Sequence, residues 1–396
     1  MIVFVFAMIL LIFLFYRMKI KNMFVLPYTF FVLMIVIEFM GPLVYYYVLN
    51  GTAYRLFDNF SLNVFCCIFI VFLSTTIFIT YLHGKNIVYR KRDIFFSKGI
   101  YRYDIFIFIF LVFVGVYIFL NMKQLLIFRV INGETADISR SDTMGYIKHW
   151  FIMSNIINIF IPSFAIYSSY NKCRSDVIVY IYFLVGSAIT LIDGNRGVFV
   201  YLVIFYIIFF KKYKITMSDF FSVFVVFLVF SVFANRQLSD STVWESMCRR
   251  FFVTQGACFI NRVYLHSVGY NFDNDIRISN QVFKLMYGYD IGSAPTVFWG
   301  DILCRYGYFF MFVILILSNY LIYCISEYIR KQHYEDYVLY WFYCYCVFAI
   351  CMSEISIPNV VRIMMAVIAG KMYLILTRKR RELIKLLNRE GSCGLV

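Results

Sequence analysis

The stretch Phe309-Phe310-Met311-Phe312-Val313-Ile314-Leu315-Ile316-Leu317-Ser318 decides the fold. It carries no charge, and apolar residues do not alternate with polar ones, so it is not a strand of a membrane barrel. Extended in both directions it becomes an apolar run over 302–326. That is the length a helix needs to cross a hydrocarbon layer about 30 Å thick. Val223–Phe233 reads the same way, and such runs recur along the chain. Of the 396 residues, 62% are hydrophobic and 15% are charged, with a mean hydropathy of +0.78. Soluble globular chains carry roughly 25% charged residues, so no soluble fold of this size covers so much apolar side chain.

The pattern predicts an all-α, polytopic integral membrane protein with about eleven transmembrane helices. The expected spans are 1–16, 23–49, 60–82, 104–121, 150–170, 177–192, 198–210, 218–234, 302–326, 337–356 and 359–377. Eight of them fall within 1–234, which also holds a smaller outer loop at 122–149. A large outer loop over 235–301, three further spans within 302–377 and a basic tail over 378–396 complete the expected organisation.

The net charge of +15 does not signal a nucleic-acid partner, because the charges sit in short clusters between apolar runs. Cytoplasmic loops of membrane proteins are built in this way. Segments 17–22, 83–103, 171–176, 211–217, 327–336 and the tail hold 22 Lys and Arg, against six in the short loops of the other side. The long loop barely counts in this rule, so the N-terminus is expected outside and the C-terminus in the cytoplasm. Arg378-Lys379-Arg380-Arg381 then lies against the anionic inner leaflet as an anchor. The first apolar run has no basic residue before it and no small-residue cleavage site, so a cleavable signal is not expected. Most of the 11 Cys lie in apolar runs, where they act as small hydrophobes, and no zinc-type spacing occurs. Cys248 and Cys258 share the long loop, and two readings stand: a bridge between them, or one continuous helix that would hold them about 15 Å apart and unable to pair.

The long loop exceeds what a simple chain reversal needs, which marks it as functional. Within it, Val243–Leu265 and Ile278–Met286 mix apolar and polar residues as amphipathic helices do. Both are expected to lie along the outer membrane surface. Its six Lys and Arg are matched by six Asp and Glu, so single arginines matter rather than a general attraction for polyanions. His266 is its only histidine, and an unperturbed imidazole titrates where a general base is useful.

Asp193-Gly194-Asn195-Arg196-Gly197 separates two apolar runs too short to cross comfortably, which draws the turn toward the membrane. Two readings of Arg196 stand: a guanidinium gripping phosphate in bidentate fashion, or a snorkelling side chain paired with Asp193. Asp301 and Arg305 are spaced to share a helix face, either as a local ion pair or as a carboxylate beside an anion-binding arginine. Glu354 and Arg362 flank the last outer turn, and Glu38 is the clearest acidic residue deep in a span. Phosphate-loop, nucleophile-elbow and HExxH motifs are absent from the sequence.

A chain of this length, rich in Phe, Tyr and Ile, with about eleven spans and one large outer loop, resembles the O-antigen repeat-unit polymerases (Wzy family) of Gram-negative bacteria. Gly194-Asn195-Arg196-Gly197 is similar to a recurrent small-residue–Arg–Gly turn of that family. Gly292-Ser293-Ala294-Pro295 through Gly300-Asp301 to Tyr306-Gly307-Tyr308 is similar to its segment after the long loop. Asn195 stands where Ser is commoner, and Asp301 where Glu is often found.

The resemblance implies a glycosyltransferase of the inner membrane that needs neither metal nor cofactor. It would pass a growing glycan from an undecaprenyl-pyrophosphate-linked oligosaccharide to the next lipid-linked repeat unit, with a chain-length regulator as a further partner. Arg196 and Arg305 would hold the pyrophosphate, and His266 or Asp301 would take the acceptor proton. Arg129, Arg140, Arg236, Arg262 and Arg277 would guide the lipid-linked sugars. A flippase of the same kind of pathway has short loops and an even span count, and the O-antigen ligase shares much of the architecture. A membrane acyltransferase lacks support because His83 and His333 fall in expected cytoplasmic loops. A reporter active only outside the cytoplasm is expected to work when fused ahead of Met1 and to be silent after Val396. The reverse pattern would overturn the expected topology.

Overall fold

The computed structural model describes residues 2–20, 27–83, 102–125, 128–129, 132–133, 147–170, 216–217, 221, 249, 252–288, 294, 296–333, 337–351 and 357–376. Among them every regular element is a helix: α1 (Ile2–Ile20), α2 (Pro27–Tyr47), α3 (Asn59–His83), α4 (Arg102–Leu120), α5 (Trp150–Tyr170), α6 (Thr254–Ser267), α7 (Ile278–Tyr287), α8 (Trp299–His333), α9 (Tyr337–Cys351) and α10 (Ile357–Leu376). A single 3-10 turn, Met122–Gln124, follows α4.

Five of these helices, α1, α2, α3, α8 and α10, are long and apolar enough to cross a membrane. The chain is therefore a helical membrane protein of the multi-pass kind. Of the other expected spans, those in α4, α5 and α9 are represented by shorter apolar stretches, Ile105–Leu120, Trp150–Phe164 and Val338–Val347. The expected spans 177–192, 198–210 and 218–234 lie outside the described residues.

Two compact units divide the chain. The first comprises Met1–Val88, Asp240–Tyr334 and Cys346–Ile363, and the second Tyr89–Ser239, Glu335–Tyr345 and Met364–Val396. In the second, α4 and α5 pack through Val114, Met153, Ile157 and Ile161. Phe160 closes on Phe110 at 4.9 Å between ring centres. Leu125, Ile147 and Trp150 bury one another and bring together the two ends of the 122–149 segment.

The first unit is organised around α3, against which α1, α2, α6 and α8 all pack. Phe65, Phe69 and Phe72 recur at helical spacing on its buried face. Phe39 of α2 stacks on Phe65 at 4.4 Å and on Phe69 at 5.2 Å. Phe259 of α6 lies 5.5 Å from Phe65, and Trp299 of α8 lies 5.8 Å from Phe72. Offset and tilted ring pairs of this kind add to the gain from burial alone. α1 buries Phe4, Ala7, Leu11, Leu14 and Met18 along one stripe. Its opposite side leaves Ile2, Ile9 and Ile12 more than half exposed. A helix that is apolar all round but buried on one side only fits lipid, not water, as its surroundings.

Polar ties join the same spans. The Tyr28 amide, in the first turn of α2 and so without a helical partner, donates to Ser326 Oγ at 2.9 Å. Tyr28 Oη donates to Asn319 Oδ1 at 2.5 Å, and Asn319 Nδ2 donates to Thr76 Oγ1 at 3.0 Å. Interhelical hydrogen bonds contribute modestly in lipid but pin the register of the helices.

α8 is one range with a break inside it. Gly307 has φ 79° and ψ −178°, a conformation closed to residues with a Cβ. Trp299 Nε1 donates to Ser318 Oγ at 3.1 Å. A straight helix would hold those residues about 28 Å apart, so 299–306 folds back beside the helix that follows Gly307. The expected span over 302–326 is thus not one straight helix: its first turns belong to a short arm lying along the long one.

Close backbone approach seats α6 on α2. A Cβ on Gly41 would lie 1.7 Å from the Phe252 carbonyl oxygen, and one on Gly256 would lie 2.2 Å from that of Glu38. The Glu38 carbonyl is the acceptor that Pro42 cannot satisfy, because proline has no N–H. Gly256 brings its backbone onto that freed oxygen and onto the Pro42 ring. Gly256→Val is expected to destabilise the protein by about 2–3 kcal/mol, the upper range for overpacking. Gly115→Ala, inside α4 and with nothing within 4 Å of the added methyl, should not destabilise the protein and gains up to about 1 kcal/mol from helix propensity. Thermal unfolding of the detergent-solubilised chain would compare the two.

Candidate functional site

α6 comes from the segment expected to lie along the outer membrane surface. The structure overturns that placement. The described helix is Thr254–Ser267, and nine of its fourteen residues are buried among α2, α3 and α8. Two of the polar residues of that stretch, Asn261 and Arg262, are turned inward and satisfied there. Asn261 Nδ2 donates to the Tyr54 carbonyl at 3.0 Å, and Asn261 Oδ1 accepts from the Leu56 amide at 3.2 Å. The α2–α3 connection is thereby fastened to the middle of α6.

Arg262, expected to guide sugars at the surface, has no exposed area. Its Nε donates to Asp301 Oδ1 at 3.0 Å, Nη1 to the Cys258 carbonyl at 3.1 Å and Nη2 to the Ala294 carbonyl at 2.9 Å. Burial alone would lower its pKa, but the Asp301 carboxylate, with smaller help from the neighbouring thiols, outweighs this and leaves it raised. The side chain passes directly over Gly300, where a Cβ would meet Arg262 Cδ at 2.8 Å. This arginine is an internal clasp joining α6, the 294–297 segment and the short arm of α8. Asp301 accordingly points to Arg262 of another helix rather than to Arg305 one turn on.

α6 ends where α8 breaks. His266, half-buried, holds Cε1 and Nε2 each 3.9 Å from the point where a Gly307 Cβ would stand. Its ring meets Tyr308 edge-on at 5.1 Å. Arg305 is exposed, two residues before the break. Asp301 with Arg262, and Gly307 with His266, therefore line one seam between α6 and the folded arm, and Arg305 stands exposed on that arm.

The remaining candidates lie elsewhere. Arg277 is exposed at the start of α7. Below it, Gln281 Nε2 donates to the Asp273 and Ile276 carbonyls at 2.7 and 2.8 Å, which folds the 268–277 loop onto that helix. Gly288 ends α7 in the left-handed conformation. Arg129 is half-buried in the second unit. Arg140, Arg196, Arg236 and Glu354 lie outside the described residues, as does Cys248, while Cys258 is a buried free thiol. Arg362 Nη1 donates to Asn359 Oδ1 at 3.3 Å, within its own helix.

Sequence reasoning missed the break at Gly307 and the partners of Glu38. A lone Gly between two tyrosines in an apolar run was the signal for the first. No protein-family model, curated protein or solved structure matches the chain. Its class therefore rests on its own helices and their apolar surfaces.

Removing the buried clasp should be costly. Arg262→Ala is expected to lose about 3–5 kcal/mol, because it leaves Asp301 uncompensated and the Ala294 carbonyl without its donor. Arg305→Ala removes an exposed side chain and should stay within about 0.5 kcal/mol of the wild type. Thermal unfolding in detergent distinguishes a structural arginine from a surface one.

Proposed function

We propose that the chain polymerises undecaprenyl-pyrophosphate-linked oligosaccharide repeat units into O-antigen polysaccharide, at the periplasmic face of a bacterial inner membrane. In this reading about eleven helices cross that membrane, with the N-terminus outside and the basic tail in the cytoplasm. The motif around Arg196 and the segment leading to Tyr308 support it from the sequence. The observation that carries it furthest is the meeting of His266 with the break at Gly307, beside the exposed Arg305. His266 at the break and Arg305 two residues before it are the groups that would meet a lipid-linked pyrophosphate at this end of the helix.

The chemistry follows from those side chains. The acceptor hydroxyl oxygen attacks the anomeric carbon of the donor, and the bond from that carbon to the pyrophosphate oxygen breaks. The leaving undecaprenyl pyrophosphate gains negative charge, which Arg305 would stabilise, with Arg196 kept as the other candidate from the sequence. His266 Nε2 accepts the hydroxyl proton. Asp301 is the weaker choice for that step, because its Oδ1 already accepts from Arg262. Arg129, Arg140, Arg236 and Arg277 remain candidates for guiding the lipid-linked sugars.

The lipopolysaccharide profile of the organism lacking this gene tests the proposal. The expected result is a ladder collapsed to core plus a single repeat unit, restored by the wild-type gene. Arg305→Ala and His266→Ala are each expected to reduce polymer by about a hundredfold or more. Bare core without any repeat unit would point to the ligase or the flippase instead.

A further inference from the structure

Glu38 has no part in the chemistry above, yet it is the most anomalous side chain in the first unit. It stands midway along the apolar stretch Tyr28–Tyr47 and is 3% exposed. An ionisable group at such a depth is expensive and is kept for a reason. Oε1 accepts from Thr296 Oγ1 at 2.5 Å and from the Val297 amide at 3.0 Å. Oε2 is buried without a hydrogen-bond partner among the described residues. Both donors belong to the short chain that precedes α8, and its backbone must find partners where no water reaches. Arg262 takes the Ala294 carbonyl, Ser279 O takes the Ala294 amide at 2.9 Å, and Glu38 takes the other end. At the same turn of α2 the Glu38 carbonyl is covered by Gly256 of α6. One residue thus meets α6 through its backbone and the 294–297 segment through its side chain.

We infer that Glu38 is a positioning residue, a latch that holds the 294–297 segment, and α6 with it, docked inside the helical unit. The docked position sets where His266 meets Gly307. Glu38 acts through the accepting Oε1 and touches no substrate. The inference does not depend on the polymerase reading, because docking is a property of this chain alone.

Cys258 reports docking directly. Its thiol is 1% exposed, and burial pushes its pKa up to about 12, so it stays inert while α6 is docked. Full-length protein in native membrane vesicles would be treated with N-ethylmaleimide, and the adduct at Cys258 followed in time by mass spectrometry. Glu38→Ala is expected to speed labelling by about tenfold or more, and Thr296→Val, which removes only one donor, by a few-fold. Glu38→Gln keeps an accepting oxygen at the same place and should label as slowly as the wild type, with polysaccharide length unchanged. Wild-type labelling in both Glu38→Ala and Thr296→Val would overturn the latch. So would a Glu38→Gln protein that stays protected but is inactive, since the carboxylate would then act in the chemistry. Thr296→Val keeps the test open if Glu38→Ala does not fold. The labelling needs no polysaccharide assay, so its failure is distinct from failure of the proposed function.

Discussion

The Arg262–Asp301 pair is the contact on which the first unit turns. A guanidinium with no exposed surface has to find an acceptor for every donor it uses, and it finds them on three separate pieces of chain. Each of those pieces is thereby fixed relative to the others. α6 cannot slide along α8 without leaving a charge unpaired at a depth where water does not compensate. The folded arm 299–306 is held against α6 for the same reason, and the break at Gly307 follows from holding the arm there while the long helix runs on.

Small residues make that arrangement sterically possible. Gly41, Gly256 and Gly300 stand where the backbone of α2, the start of α6 and the stem of Arg262 would otherwise collide with a side chain. In lipid, helices gain little from hiding apolar surface from each other, and close approach with interhelical hydrogen bonds takes over. The Phe39–Phe65–Phe69 stack and the Tyr28–Asn319–Thr76 chain supply both kinds of contact in the first unit. The freed carbonyl of Glu38 beneath Pro42 shows the same economy: an irregularity in one helix becomes the seat of another.

This packing also places the polar side chains singled out as candidates in the sequence. His266 reaches the break because α6 enters the bundle from Gly256 and comes out beside Gly307. Had α6 lain along the membrane surface, His266 would stand on a solvated face with no fixed geometry to Gly307 and Tyr308. Inserting the loop into the bundle turns a flexible connection into a rigid support, which is what a site needs if its groups are to be held in place before a substrate arrives.

The sequence by itself determined the class of the protein. Apolar run length and the scarcity of charge are local sums, and they point to membrane-crossing helices whatever the packing. Helix α7 was legible for a similar reason, since its apolar spacing and Gly288 lie within a dozen residues of each other. Asp301, Arg305 and His266 could be singled out one at a time as costly or reactive side chains in unusual places. What they touch could not. Thr296 donates to Glu38 across 258 positions of sequence, and Arg262 chose Asp301 over solvent. The mixed polarity of α6 suits a membrane surface and a polar-clasped interior equally well. Only tertiary structure decided between them, because a buried polar group is tolerated only where other parts of the chain supply its partners.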